Sequence, residues 1–174
     1  MTGRVQDKIA IITGAGTGIG AACMELFGRE GAKVIGVSRT QSNLDAVMET
    51  TKAAGGDGMV IATDLSNFDN AQSVIQQTMD AYGRIDILVH SAGVGWSWGE
   101  KSPGSMDDVA VTSPEKWQEV MSINLDSCFY MVRGVLPIMQ EQGGGSIVNV
   151  ASISGFLGMP TAHTYTAAKG AMIN

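Results

Sequence analysis

The chain has 174 residues, 44% of them hydrophobic, enough for one domain with a buried core. Its 23 glycines follow no collagen period and adjoin apolar runs, which excludes both a triple helix and a disordered tail. A formal charge of −6 without basic blocks argues against a nucleic-acid partner, and no apolar run has the roughly 20 residues of a membrane helix. The first residues lack a signal peptide's apolar middle, and the expected location is cytoplasmic. Cys23 and Cys128 lie far apart, without the spacing of a disulfide framework or a metal site.

Lys8 to Thr13 shows no polar alternation and reads as a strand buried on both faces. After a glycine-rich turn, Ala21 to Gly31 reads as a helix with Gly31 at its C-terminal cap. Lys33 to Ser38 is the second strand. Ser42-Asn-Leu-Asp45 has the form of a helix start, for a helix reaching about Ala54. Met59 to Thr63 is a third strand, and Ser66-Asn-Phe-Asp69 opens a helix to about Tyr82. Ile85 to His90 is a fourth strand, Trp117 to about Gln142 a long helix, and Ser146 to Ala151 a fifth strand. A last helix begins near Thr164.

Strands alternating with helices at this spacing predict a single α/β domain over 1–174, a doubly wound parallel sheet. Residues 94–113 break the rhythm with Gly95, Gly99, Gly104, Pro103, Trp96 and Trp98. That segment reads as a functional or mobile loop near the substrate mouth, with the two tryptophans as an apolar wall or as a surface elaboration.

Thr13-Gly14-Ala15-Gly16-Thr17-Gly18-Ile19-Gly20 joins the first strand to the first helix. Glycines there let the backbone approach a pyrophosphate, which the helix N-terminus then holds. Gly16-x-Gly18-x-x-Ala21 satisfies the dinucleotide fingerprint. An NAD site places a carboxylate at the end of the second strand, but Ser38 and Arg39 stand there. A hydroxyl and a guanidinium suit a 2′-phosphate, so NADP(H) is expected over NAD(H).

Tyr165 and Lys169 are four apart and share a helix face. A free phenol titrates near pH ~10, and a neighbouring ammonium favours its phenolate. Such a pair can pass a proton to or from an alcohol or ketone. Ser152 follows the fifth strand, where open sheets bind ligands, and its hydroxyl can donate to a developing alkoxide. Asn124 reads either as a site residue or as a helix residue bonding backbone, and Asp64 as a site residue or a turn cap before Ser66.

Together these residues resemble the short-chain dehydrogenases/reductases along essentially the whole chain. The resemblance rests on Thr13-Gly14-x-x-x-Gly18-x-Gly20, Asp64, Ala92-Gly93, Asn124, Ser152 and Tyr165-x-x-x-Lys169. It implies a Rossmann fold and hydride transfer between NADP(H) and a secondary alcohol or ketone, without a metal. Tyr165 would be the general acid and base, Lys169 would lower its pKa and hold the nicotinamide ribose, and Ser152 would orient the substrate oxygen. Asn124 would hold a water of a proton relay. Gly14, Thr17, Gly18, Ile19 and Gly20 would carry the cofactor phosphates. Asp64 and Leu65 would meet the adenine, and Ala92 and Gly93 the ribose. A homodimer or homotetramer is implied as well. A 3-oxoacyl-thioester reductase and a non-catalytic NADP(H)-binding regulator stand as rival readings.

Two departures from the family pattern stand out. His90-Ser91-Ala92-Gly93 replaces the usual Asn-Asn-Ala-Gly, and His90 is expected to be a hydrogen-bonded core residue. The chain also stops at Asn174 within the last helix, so it is expected to be a fragment lacking C-terminal strands, with an unpaired sheet edge.

Overall fold

The computed structural model describes residues 3–174. Five parallel strands, β1 (Ile9–Thr13), β2 (Lys33–Ser38), β3 (Asp57–Ala62), β4 (Ile87–His90) and β5 (Ser146–Asn149), lie in the order β3-β2-β1-β4-β5. Helices α1 (Gly18–Arg29), α2 (Gln41–Ala53) and α3 (Phe68–Tyr82) follow the first three strands. The chain then runs through a short α4 (Trp98–Lys101), α5 (Pro114–Met121), α6 (Ser127–Glu141) and, after β5, α7 (His163–Ile173). β1 sits at the centre with Ile12 beside Gly36 on one side and Val89 on the other.

Alternate residues of β1 enter two different cores. Ile9 and Ile11 pack with Val74, Leu88, Met131 and Val135 from α3, β4 and α6. Ala10 and Ile12 pack with Met24, Leu44 and Met48 from α1 and α2. That two-sided burial explains the unbroken apolar run, and each buried isoleucine contributes about 1.5–3 kcal/mol.

Several element limits differ from the sequence reading for local reasons. β3 starts at Asp57 because it pairs with Lys33, whose ammonium lies 2.6 Å from the Asp57 carboxylate. β4 starts at Ile87 because Ile85 gives its N–H and C=O to the Gln142 side-chain amide, at 3.0 and 2.8 Å. Asp86 leads into the strand, its N–H bonding Ile9 O and its C=O accepting from Ser146 N, while its carboxylate accepts from Ile9 N and Arg84. α2 is entered from Thr40 without a side-chain cap, and the cap of α3 is Asn67, which accepts from Asn70 N. β5 ends at Asn149, and Ala151 N turns back to bond Asn149 O. Beyond the end of α1, Gly31 takes φ +92, the left-handed geometry expected of it.

The long helical stretch begins earlier than predicted, at Pro114, where Ser113 Oγ accepts from Lys116 N. It is not one α-helix. Residues Ser122–Asp126 form a π-turn, in which Ser127 N–H reaches back five residues to Ser122 O. Residues 94–113 are folded rather than structureless: Met106 is buried with Val120 and Ala162. Ala162 N bonds Met106 O and Thr164 Oγ1 bonds Ser105 O, which fastens the segment to the start of α7. No described helix is long and apolar enough to cross a membrane.

Candidate active site

The carboxyl ends of the strands open on a cleft of about 500 Å³. It lies where the chain leaves β1 in opposite directions, towards β2 on one side and β4 on the other. The glycine turn forms its floor. Gly14 and Gly18 have φ +67 and +56, and a Cβ on Gly14 would stand 2.7 Å from Ser91 O. A Cβ on Gly20 would stand 2.3 Å from Gly14 O, so the turn closes on itself with no room for a side chain. Above Gly18 nothing lies within 4 Å, and Thr17 makes no side-chain cap, leaving the first N–H groups of α1 facing open space beside exposed Ile19.

A hydrogen-bonded strut runs beneath this floor. Thr13 Oγ1 accepts from Ser91 N and Ala92 N at 3.1 and 3.0 Å, so its proton goes to His90 Nδ1, 3.1 Å away. The proton on His90 is therefore at Nε2, which donates to Ser127 Oγ at 3.3 Å; Ser127 donates onward to Ile123 O at 2.7 Å. His90 is fully buried, as expected, and burial pushes its pKa down to about 3. The strut ties the glycine turn, the Ala92-Gly93 turn and the π-turn into one piece.

The π-turn presents Asn124. Its Oδ1 accepts from Val94 N at 3.1 Å and its Nδ2 donates to Val120 O at 3.0 Å, so the backbone-bonding reading holds. A Cβ on Gly93 would stand 2.7 Å from Asn124 Oδ1, which shows how closely that turn approaches it. Tyr165 and Lys169 line the same cleft from α7. Lys169 is buried, its Nζ donates to Val150 O at 2.9 Å, and it lies 5.9 Å from the Tyr165 ring centroid. Burial lowers the Lys169 pKa, opposed in small part by Cys128.

Ser152 stands apart from the cleft lining, which ends at Ala151 on that side. It begins a short turn at Ile153–Gly155, with its Oγ accepting from Ser154 N at 3.2 Å and its own proton uncommitted. Ser38, Arg39, Asp64 and Leu65 line the far end of the cleft, the Leu65 side chain itself packing into the core. Asp64 also caps the turn: its Oδ1 accepts from Ser66 N and Ser66 Oγ. Thr13, Val150 and Lys101, none of them given a role of its own from the sequence, complete the site. Thr13 offered a signal as the first residue of the glycine motif, and Lys101 as a cation in an unusual loop.

These residues fit a dinucleotide. The turn has no room for a side chain at Gly14 or Gly20, the N-terminus of α1 is open, and the cleft is lined by Arg39, Lys101 and Lys169 against one carboxylate, Asp64, among the described residues. A family model, short chain dehydrogenase, matches residues 8–174. The chain belongs to the short-chain dehydrogenase family. Within that family, a 3beta-hydroxysteroid dehydrogenase of Mediterraneibacter gnavus is 35% identical over 170 residues, and an NADP-dependent (R)-specific alcohol dehydrogenase of Lentilactobacillus kefiri is 35% identical over 175. The alignments cover 98% and 99% of this chain but 58% and 65% of those two relatives. A carveol dehydrogenase structure from Mycobacterium avium, in complex with NAD, superposes with a TM-score of 0.89 at 28% identity, covering 99% of this chain and 64% of that one. This short-chain dehydrogenase thus spans about three-fifths of the length of the relatives it matches.

Proposed function

We propose that the protein is an oxidoreductase that transfers a hydride between NADP(H) and a secondary alcohol or its ketone. The observation that carries this reading is a shared cleft: Tyr165 and Lys169 line the same cavity as the glycine turn. Gly14, Thr17, Gly18, Ile19 and Gly20 with the N-terminus of α1 would hold the cofactor's phosphates. Ser38 and Arg39 would hold the 2′-phosphate, Asp64 and Leu65 the adenine end, and Ala92 and Gly93 the ribose. The bound cofactor supplies or accepts the hydride.

The remaining chemistry belongs to the side chains. Tyr165 gives its proton to the carbonyl oxygen in reduction and takes it back in oxidation. Lys169, anchored on Val150 O in nearly dry surroundings, holds its ammonium beside the Tyr165 ring and binds the ribose. Ser152, just beyond the cleft lining, would turn its uncommitted proton towards the substrate oxygen. Asn124 keeps one amide hydrogen and one lone pair for the water of a proton relay.

In the same reading the chain is one dinucleotide-binding unit, cytoplasmic and without a nucleic-acid or membrane partner. Phe129 and Leu136, both exposed on α6, mark the face for a homodimer or homotetramer.

The test is turnover of NADPH and NADP against a panel of ketones and secondary alcohols by wild type and Tyr165→Phe. The variant is expected to keep cofactor affinity and lose about 10²–10⁴ in rate. No turnover of the panel by wild type, or a variant rate within a few fold of it, would overturn the reading.

A further inference from the structure

Two indoles of the segment after β4 serve different parts of the cleft. Trp96 packs against Tyr165, with ring centroids 5.7 Å apart. Trp98 lies under Arg39, whose guanidinium carbon is 4.8 Å from the ring centroid. The Trp98 ring is anchored from behind: Nε1 donates to Glu119 Oε1 at 2.8 Å, while Glu119 Oε2 accepts from Ser102 and Lys116. Burial alone would raise the Glu119 pKa, but the hydrogen bonds from Lys116, Ser102 and Trp98 outweigh it, so the anchor stays ionised. Trp98 also packs on the Met106–Val120–Ala162 cluster.

Arg39 therefore rests on a fixed platform. A guanidinium stacked on an aromatic face keeps its N–H fork free at the edge. Among the described residues Arg39 has no carboxylate partner, and neither has Lys101, which closes α4 and lines the same cleft. The chain carries a net charge of −6, yet it leaves two unpaired cations at this site.

We infer that residues 94–113 form a second wall of the 2′-phosphate site, with Lys101 as its second cation and Trp98 as the residue that positions Arg39. The inference rests on the NADP(H) reading and adds a selectivity element to it. Cations contributed by two separate segments bind a dianionic phosphate strongly and gain far less from the neutral 2′-hydroxyl of NAD(H).

Calorimetric titration with NADPH and with NADH tests it on wild type, Lys101→Gln, Lys101→Arg, Trp98→Ala and Trp98→Phe. Lys101→Gln is expected to weaken NADPH about tenfold and leave NADH within about twofold, and Lys101→Arg to restore the difference. Trp98→Ala is expected to cost NADPH about threefold, and Trp98→Phe less, since any aromatic face supports the cation. Raising the salt should narrow the gap between Lys101→Gln and wild type. Should Trp98→Ala fail to fold, the exposed Lys101 pair decides. An unchanged NADPH-to-NADH ratio in Lys101→Gln, with Arg39→Ala losing the preference, would overturn this inference and leave the NADP(H) reading standing. A wild type without preference for NADPH would overturn both.

Discussion

His90 makes the stability of this protein depend on pH in a window where few other groups act. The folded state keeps its imidazole neutral down to about pH 3, whereas an unfolded chain protonates it near pH ~6.5. Between those values the unfolded state binds the extra proton, so stability is lost as pH falls and regained as it rises. Integrating this difference for one histidine gives about 2 kcal/mol lost between pH 7 and pH 5. Asp86 and Glu119 are also held below their ordinary values, which places most of their own acid sensitivity lower, as pH falls towards the usual carboxylate range. The perturbation is His90→Asn, which cannot titrate and still offers a donor and an acceptor. Urea unfolding followed by circular dichroism at pH 7 and pH 5 reads the result. Wild type should lose about 2 kcal/mol more than the variant over that interval, whatever their stabilities at pH 7. Equal losses in the two proteins would refute the buried neutral strut.

Two further substitutions probe the floor of the cleft. Thr13→Val removes the acceptor of Ser91 N and Ala92 N and the donor to His90, and is expected to cost about 2–4 kcal/mol in urea unfolding at pH 7. Gly20→Ala drives a methyl group against Gly14 O and is expected to weaken NADPH at least about tenfold in a calorimetric titration, since the turn must open to admit it.

The order of elements was legible because β1 and β4 are buried on both faces and the helices between strands keep their apolar stripes. Strand limits were less legible, since they depend on partners distant in sequence: Gln142 removes Ile85 from β4, and Lys33 draws Asp57 into β3. The π-turn left no trace, because Ser122-Ile-Asn-Leu-Asp126 contains neither Gly nor Pro, the residues that interrupt a regular helix. At the site, the glycine turn and Tyr165-x-x-x-Lys169 were readable because each depends on local spacing. The contact of Trp98 with Arg39 depends on where a long loop lands, and the folded state of residues 94–113 depends on Met106, Ser105 and the start of α7 meeting. Asp64 was legible as a turn cap, and the structure uses it so while leaving it at the cleft.

The π-turn has a consequence for how this chain tolerates insertions and deletions. A regular α-helix advances about 100° per residue, and the widened turn absorbs one residue beyond that repeat. Deleting a single residue anywhere between Trp117 and Ser127 would let the helix relax to regular geometry. The phase of α5 against α6 would be kept, but the widened turn that presents Asn124 would be lost, parting its side chain from Val94 N. A conservative substitution on the outer face of α5 leaves the widened turn in place, whereas a deletion on the same face removes it. Segment length at this point is thus constrained as tightly as side-chain identity.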